Sequence, residues 1–296
     1  MEEVQTQPNP NSDINQHDDM SQRSMSDDSR KNSVWVMIVI LVLIFLVGSI
    51  FIIILFNRPH NTTEEASTPN VDKIINRGTL IVGTDATFPP MESFNDAGDI
   101  IGYDIDLAQK IADDLGVELE IKNVEWDLLF DALIDGKVDM VISGVTITDD
   151  RKELYAFSKQ YINAGQVILT RNDNTTITSI ADLTDAKIAV QEETTNAKEA
   201  LKYTDAENVL QYSDFKEATS ALVNREADAI FSDLTGARGI IDENPTLKIA
   251  SEPFTNDYYG IVMRIGENDL VDKVNSIIGE LKQTGYLLYL HQKWLE

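Results

Sequence analysis

The stretch TLIVGTDATFPPMESFNDAGDIIGYDIDLAQKIADDLGVELEIKNVEWDLLFDALIDGKVDMVISG, residues 79–144, decides the fold. Three short β-type runs stand in it, TLIVGT (79–84), ELEIKNV (118–124) and DMVIS (139–143), and segments of another period separate them. In DIDLAQKIADDLG (104–116), Ile105, Ala108, Ile111, Ala112 and Leu115 recur at helical spacing, and Gly116 supplies the stop. WDLLFDALIDGK (126–137) reads as a second helix, with Leu129, Leu133 and Ile134 inward and Gly136 at its end. Strands that alternate with helices make an α/β sheet with helices on both faces.

The same alternation restarts downstream. KIAVQ (187–191) is a strand, TNAKEALKY (195–203) and DFKEATSALVNREA (214–227) are helices, and ADAIFSD (227–233) is a strand. YYGIVMRIG (258–266) adds one more strand, and two helices close the chain over 268–285 and 285–295. The expectation is therefore two α/β lobes in series.

Upstream the character changes. The 23 residues Val34–Phe56 carry no charge, and about 20 apolar residues suffice for a helix to cross a bilayer. A cleaved signal peptide would have a shorter apolar core, followed by small residues; here NRPHNTTEEAS follows, so an uncleaved anchor is expected. Arg23, Arg30 and Lys31 precede the span, whereas Arg58 alone follows it closely. This bias puts the N-terminus in the cytoplasm and the rest outside. Residues 1–33, rich in Asn, Gln, Ser and Asp, read as a disordered tail, and 57–70 as a polar linker.

Composition removes several classes of function. With 24 Lys and Arg against 50 Asp and Glu, the net charge is −26, which disfavours nucleic acid as a partner. The chain has no cysteine, hence no disulfide, thiolate metal site or lipidated cysteine. Its histidines, His17, His60 and His291, are too scattered for a metal centre. No metal and no cofactor are expected. Asn61-Thr-Thr and Asn174-Thr-Thr fit the glycosylation pattern, which short chance matches also satisfy.

In open α/β sheets, ligands gather at the carboxyl ends of strands, next to helix starts. Those positions hold Asp85 and Phe88 after the first strand, and Trp126 after the second. Ser143, Gly144, Thr146 and Arg151 follow DMVIS, Glu192, Glu193, Thr194 and Thr195 follow KIAVQ, and Asp233 ends ADAIFSD. A cation in the first turn opposes the helix dipole, so Arg151 calls for another reason, and a guanidinium is well suited to clamp a carboxylate. Taken singly, each residue has a plainer reading. Arg151 could be a surface ion-pair partner, Asp233 an N-cap, Phe88 and Trp126 core aromatics, and the two glutamates solvated.

Taken together, GYDIDL (102–107), GKVDM (136–140) and TITDDR (146–151), in this order and spacing, resemble type 3 extracellular solute-binding proteins, the amino-acid receptors of ATP-driven uptake systems. The resemblance runs from about Gly78 to the C-terminus. It implies a two-lobe, periplasmic-binding-protein-like (type II) fold, with lobe 1 formed by 71–166 and 258–296 and lobe 2 by 167–257. Hinges would lie near Gly165-Gln166-Val167 and Tyr259-Gly260. It further implies that Arg151 clamps the ligand α-carboxylate with help from Thr146, Gly144 and the helix start at Thr195, and that Asp233 binds the α-ammonium. Phe88 and Trp126 would enclose the side chain, and Asp85 would meet its polar end. Many members read Gln-x-Gly-Thr-Thr where this chain has Gln191-Glu192-Glu193-Thr194-Thr195.

The expected function is capture of a free polar amino acid by hinge closure, basic ones such as arginine or lysine ahead of glutamine, for delivery to an ABC permease. The chain lacks a GxxxxGK[ST] phosphate loop, so permease and ATPase would be separate polypeptides. Two rivals follow from the same fold. One is a cyclohexadienyl dehydratase-like enzyme with a cleft glutamate as general acid; the other is a ligand-sensing domain that signals through a partner.

Overall fold

The computed structural model describes residues 70–296, which lie within one compact unit. The expected tail (1–33), membrane span (34–56) and all but the last residue of the linker (57–70) fall outside the described residues. Among the described residues, no helix is long and apolar enough to cross a membrane. Asn70, expected to end the linker, instead opens a helix, Asn70–Arg77. The Asp269 carboxylate holds that helix start, accepting from Asn70 Nδ2 and from the Val71 amide, each at 2.9 Å.

Two five-stranded sheets form the frame. The first runs in the order Glu118–Asn123, Thr79–Thr84, Met140–Val141, Val262–Met263, Ala156–Phe157. Its first three strands are parallel and its last two join antiparallel. The second sheet runs Val209–Tyr212, Ile188–Gln191, Ala229–Asp233, Gln166–Arg171, Leu247–Ile249, with the same sense at every step. The central strands Met140–Val141 and Ala229–Asp233 are buried along their whole length because helices cover both faces, whereas the edge strand Glu118–Asn123 alternates with solvent.

Helix Tyr103–Leu115 buries Tyr103, Leu107, Ala108, Ile111, Ala112 and Leu115. Ile105, expected inward, is only partly buried, since the packed face is set by Tyr103 and Leu107. In helix Trp126–Ile134, Trp126, Leu129 and Leu133 share one face, and Ile134 lies about 100° further round. Ile134 is accordingly 59% exposed, not inward as its spacing suggested. Fully burying each such aliphatic side chain contributes roughly 1.5–3 kcal/mol.

The chain crosses between the lobes twice. Ile162–Asn163 pairs antiparallel with Tyr258–Tyr259, and Thr146 bridges to Tyr259. The outward crossing thus precedes the expected Gly165–Val167, because Gln166 already opens a strand of the second sheet. The return passes through Tyr259.

Where the lobes meet, contact is intimate. Helix Leu234–Glu243 of the second lobe lies against the Phe88–Pro90 turn of the first. A Cβ on Gly239 would stand 2.3 Å from the Pro89 carbonyl oxygen, so only glycine permits this approach. A fragment from Asn70 carrying Gly239→Ala is expected to hold its lobes further apart. Small-angle X-ray scattering should show a radius of gyration larger by on the order of 1 Å than the roughly 17 Å of a compact unit this size. An unchanged radius would mean that the helix absorbs the methyl locally.

Candidate functional site

A cleft of about 380 Å³ lies between the lobes, at the carboxyl ends of the parallel strands of both sheets. Its positive end belongs to the first lobe. Thr148 caps helix Asp149–Leu154 by accepting from the Arg151 amide. This turn sends the Arg151 side chain back toward the cleft, where Nη1 donates to the Thr146 carbonyl oxygen at 3.0 Å. The guanidinium carbon sits 5.4 Å from the centre of the Trp126 ring and 5.6 Å from that of Phe130. Cation–π contact of this kind holds an arginine without neutralising it. Among the ion pairs of the described residues, Arg151 takes part in none. Burial lowers its pKa, and the charge of Asp233 partly restores it.

The negative end belongs to the second lobe. Asp233 closes the central strand Ala229–Asp233 and is 4% exposed. Oδ1 accepts from Asn196 Nδ2 at 3.0 Å, and Oδ2 from the Tyr259 hydroxyl at 2.5 Å. Asp233 heads the next helix but makes no side-chain cap bond, so its carboxylate faces Asn196 and Tyr259 at the cleft rather than the helix start. Burial pushes its pKa up to about 6, against the pull of Tyr259, Asn196 and Arg151.

A second carboxylate marks the far wall. Asp85 Oδ1 accepts from the Thr87 hydroxyl at 3.0 Å and Oδ2 from Gln191 Nε2 at 3.3 Å, which bonds one lobe to the other. Burial raises its pKa, Thr87 and Gln191 lower it, and Asp214 and Glu125 push it up again. Phe88 packs beside it, stacked on Phe215 of the second lobe with centroids 4.9 Å apart.

Of the expected residues, the structure gathers Asp85, Phe88, Trp126, Ser143, Gly144, Thr146, Arg151, Thr195 and Asp233 around this one cleft. Glu193 is the correction. It is exposed, and the cleft is lined instead by its neighbours Gln191, Thr194, Thr195 and Asn196. Its backbone stands at φ 59°, the left-handed region that a glycine takes without cost, and only its carbonyl turns inward, 3.5 Å from Trp126 Nε1. The Gly144 amide is also spent, donating to Asp104 Oδ2 at 2.7 Å, so its carbonyl is what it has left to offer. Thr146 and Thr195 face each other across the lobes with hydroxyls 3.5 Å apart.

Sequence reasoning missed Glu92, Gln191, Asn196 and Phe215 in the lining, and Tyr259, expected only as a hinge residue, as a partner of Asp233. Strand-end logic reaches Gln191, Asn196 and Phe215, which close or follow strands. Nothing in sequence marks Glu92 or this role of Tyr259, since both depend on tertiary pairing.

Comparison with known proteins agrees with this geometry. The profile of bacterial extracellular solute-binding proteins, family 3, matches residues 80–296. The chain is 33% identical over 226 residues to the L-cystine-binding protein TcyJ of Escherichia coli K12, covering 76% of this chain and 85% of that protein. It is also similar to the holo structure of ArgBP from T. maritima, 41% identical with a TM-score of 0.69 and covering 76% and 99% of the two chains. A third likeness is to the ancestral amino acid-binding protein AncCDT-1, described as a precursor of cyclohexadienyl dehydratase, at 37% identity, TM-score 0.71 and coverage of 76% and 99%.

Asp233 should leave a signature in the pH dependence of folding. Its native pKa lies above the ordinary 3.8, so the stability it contributes is complete below that value and is lost as pH rises through about 6. The loss is on the order of 3 kcal/mol. Denaturant unfolding of the ligand-free protein and of Asp233→Asn should therefore diverge by about that amount between pH 4 and 6.5, the variant gaining relative to its parent. Parallel pH profiles would mean that the carboxyl group is not buried as described.

Proposed function

Because the chain belongs to family 3 of the bacterial extracellular solute-binding proteins, we propose that it captures a free amino acid between its lobes and presents the closed form to an ABC-type permease. The observation that carries this reading is a pair of opposite charges, Arg151 half-buried and Asp233 buried, supplied by different lobes to one cleft. An α-amino acid carries the complementary carboxylate and ammonium, and burying either without a partner costs several kcal/mol. A ligand held from both sides binds the closed form better than the open one, and this differential affinity drives closure.

For the side chain, we propose a basic group, arginine or lysine ahead of glutamine. Among the described residues no cation pairs with Asp85, and Glu125 and Asp214 add negative potential to its end of the cleft. Phe88 and Phe215 offer ring faces on which a guanidinium can lie. ArgBP of T. maritima, by its name an arginine binder, fits this choice, while TcyJ shows that family members of comparable identity bind other amino acids. Binding without catalysis is favoured because Glu192 and Glu193 are exposed and do not line the cleft, while Glu92, which does, is fully buried with Oε1 held by Ser143.

We also propose that Val34–Phe56 anchors the chain as a single span, N-terminus inside, with the binding domain on the extracytoplasmic side. The 23 uncharged residues and the preceding cations support this. In membranes treated with alkaline carbonate, the full chain is expected to stay with the pellet. Its release into the supernatant would argue against the anchor.

Calorimetric titration against the twenty amino acids is the direct test. Arginine and lysine should bind, and heat from glutamine alone would overturn the side-chain assignment. Silence from all twenty would overturn the function. Arg151→Ala should weaken every amino acid by roughly 2–5 kcal/mol, the usual cost of removing one partner of a buried charged contact. Asp85→Asn should instead shift preference from arginine toward glutamine by at least tenfold.

A further inference from the structure

The floor of the cleft rests on two carboxyl groups that ligand capture does not itself call upon. Glu92 begins the short strand Glu92–Phe94, Asp104 stands in the first turn of helix Tyr103–Leu115, and both have 0% exposure. Hairpin pairing of Ser93 with Ile101, and the Asp104 amide donating to the Met91 carbonyl oxygen at 3.0 Å, bring these segments side by side. Glu92 Oε1 accepts from Ser143 Oγ at 2.9 Å, and Ser143 Oγ accepts from the Asp85 amide at 3.0 Å. Asp104 Oδ2 accepts from the Gly144 amide at 2.7 Å and from the Tyr161 hydroxyl at 2.9 Å. The pair thereby ties the hairpin and the helix start to the Ser143–Gly144 loop, to Asp85 and to the segment that crosses between lobes.

Half of this arrangement is unexplained if both groups are ionised. Both carboxyls are fully buried on segments that lie side by side, and the charge of Asp104 acts on Glu92. Yet Glu92 Oε2 and Asp104 Oδ1, both buried, find no donor among the described residues. The titratable groups facing the pair are Asp85, Tyr103, Tyr161 and, beyond Tyr161, Tyr259, and none of them is a cation. Two adjacent carboxylates without a cation repel and are poorly solvated. One proton between them satisfies both orphan oxygens and leaves a single negative charge. Asp104, which already accepts from two donors, is the better place for that charge, and Glu92 for the proton. Burial raises Asp104 to about 7 against the pull of Gly144, Tyr161 and Glu92, and burial together with the Asp104 charge holds Glu92 well above the usual carboxylate range.

We propose that Glu92 and Asp104 form a positioning pair, sharing one proton carried by Glu92, which holds the Ser143–Gly144 loop and the Asp85 amide in the arrangement the ligand meets. The ligand part of this proposal rests on the amino-acid-binding reading; the shared proton does not. As pH rises and the proton leaves, two buried charges push the hairpin from the helix start, and the loop loses its support.

Infrared difference spectroscopy of the purified, ligand-free full chain at neutral pH tests the proton. The parent should show the carbonyl stretch of a protonated carboxylic acid, sensitive to deuterium exchange and missing in Glu92→Gln. Identical spectra for the two would overturn the proposal. The second measurement is arginine affinity across pH 6 to 9. The parent should weaken toward alkaline pH, Glu92→Gln should lose that decline, and Glu92→Ala should be at least tenfold weaker at every pH. Parallel profiles for parent and Glu92→Gln would overturn the positioning role, since Asp85 and Asp233 titrate in both proteins. Should Glu92→Ala not fold, the spectrum and the Glu92→Gln profile still decide. If arginine does not bind at all while the acid band is present, the ligand reading fails and the shared proton is supported.

Discussion

Everything in the cleft turns on a half-buried guanidinium that finds no carboxylate partner among the described residues. Arg151 is held by two aromatic rings and one carbonyl oxygen, contacts that fix its place but leave its charge unmatched. The opposing charge that raises its pKa against burial, Asp233, lies in the other lobe and is held by Asn196 and Tyr259. An intramolecular ion pair would satisfy both groups and remove any reason to bind a zwitterion. Keeping them apart on separate lobes stores the desolvation cost of two charges, and a ligand that bears both complementary charges recovers it only when the lobes come together.

That logic demands surfaces that can approach closely, and two glycines supply them. Phe88 is wedged between Gly144 of its own lobe and Gly236 of the other, where a Cβ would meet its ring at 3.2 Å and 2.0 Å respectively. The stacked Phe215 completes the wedge. Tyr259, on the strand that returns between lobes, donates to Asp233 and accepts from the Thr235 hydroxyl at 3.1 Å. The hinge and the ammonium-binding end are thus joined by one side chain, so a change in lobe angle is felt directly at Asp233.

How much of this the sequence discloses depends on the range of the interaction involved. The α/β alternation is legible because strand and helix periods are local, and the strand-end rule then points to Asp85, Arg151 and Asp233 without any contact being known. The inward faces are less legible. Ile105 and Ile134 satisfy a helical repeat, yet the packed stripe runs through Tyr103, Leu107, Leu129 and Leu133, and only the sheet decides which of two adjacent stripes is covered. Glu193 misled for a related reason. It sits in the right turn, but its left-handed backbone turns the side chain to solvent and leaves Gln191 and Asn196 to line the wall. Glu92, and Tyr259 as a partner of Asp233, carry no local mark at all, because their contacts lie far along the chain.

The left-handed Glu193 has a further meaning beside the acidic wall. A non-glycine residue in that region costs roughly 1–2 kcal/mol, so the turn gives up stability that glycine would retain. What it gains is a carboxylate at the rim, beyond Trp126, on a cleft whose far wall is already Asp85 with Glu125 and Asp214 behind it. An exposed charge of this kind contributes little to affinity once the ligand is bound, but it adds to the field met during approach. A neutral side chain gains nothing from such a field and a negative one is repelled, whereas a cationic amino acid is drawn along it toward Asp85. The same sign at rim, wall and surroundings therefore supports the basic ligand proposed above at the stage of encounter as well as at the stage of capture.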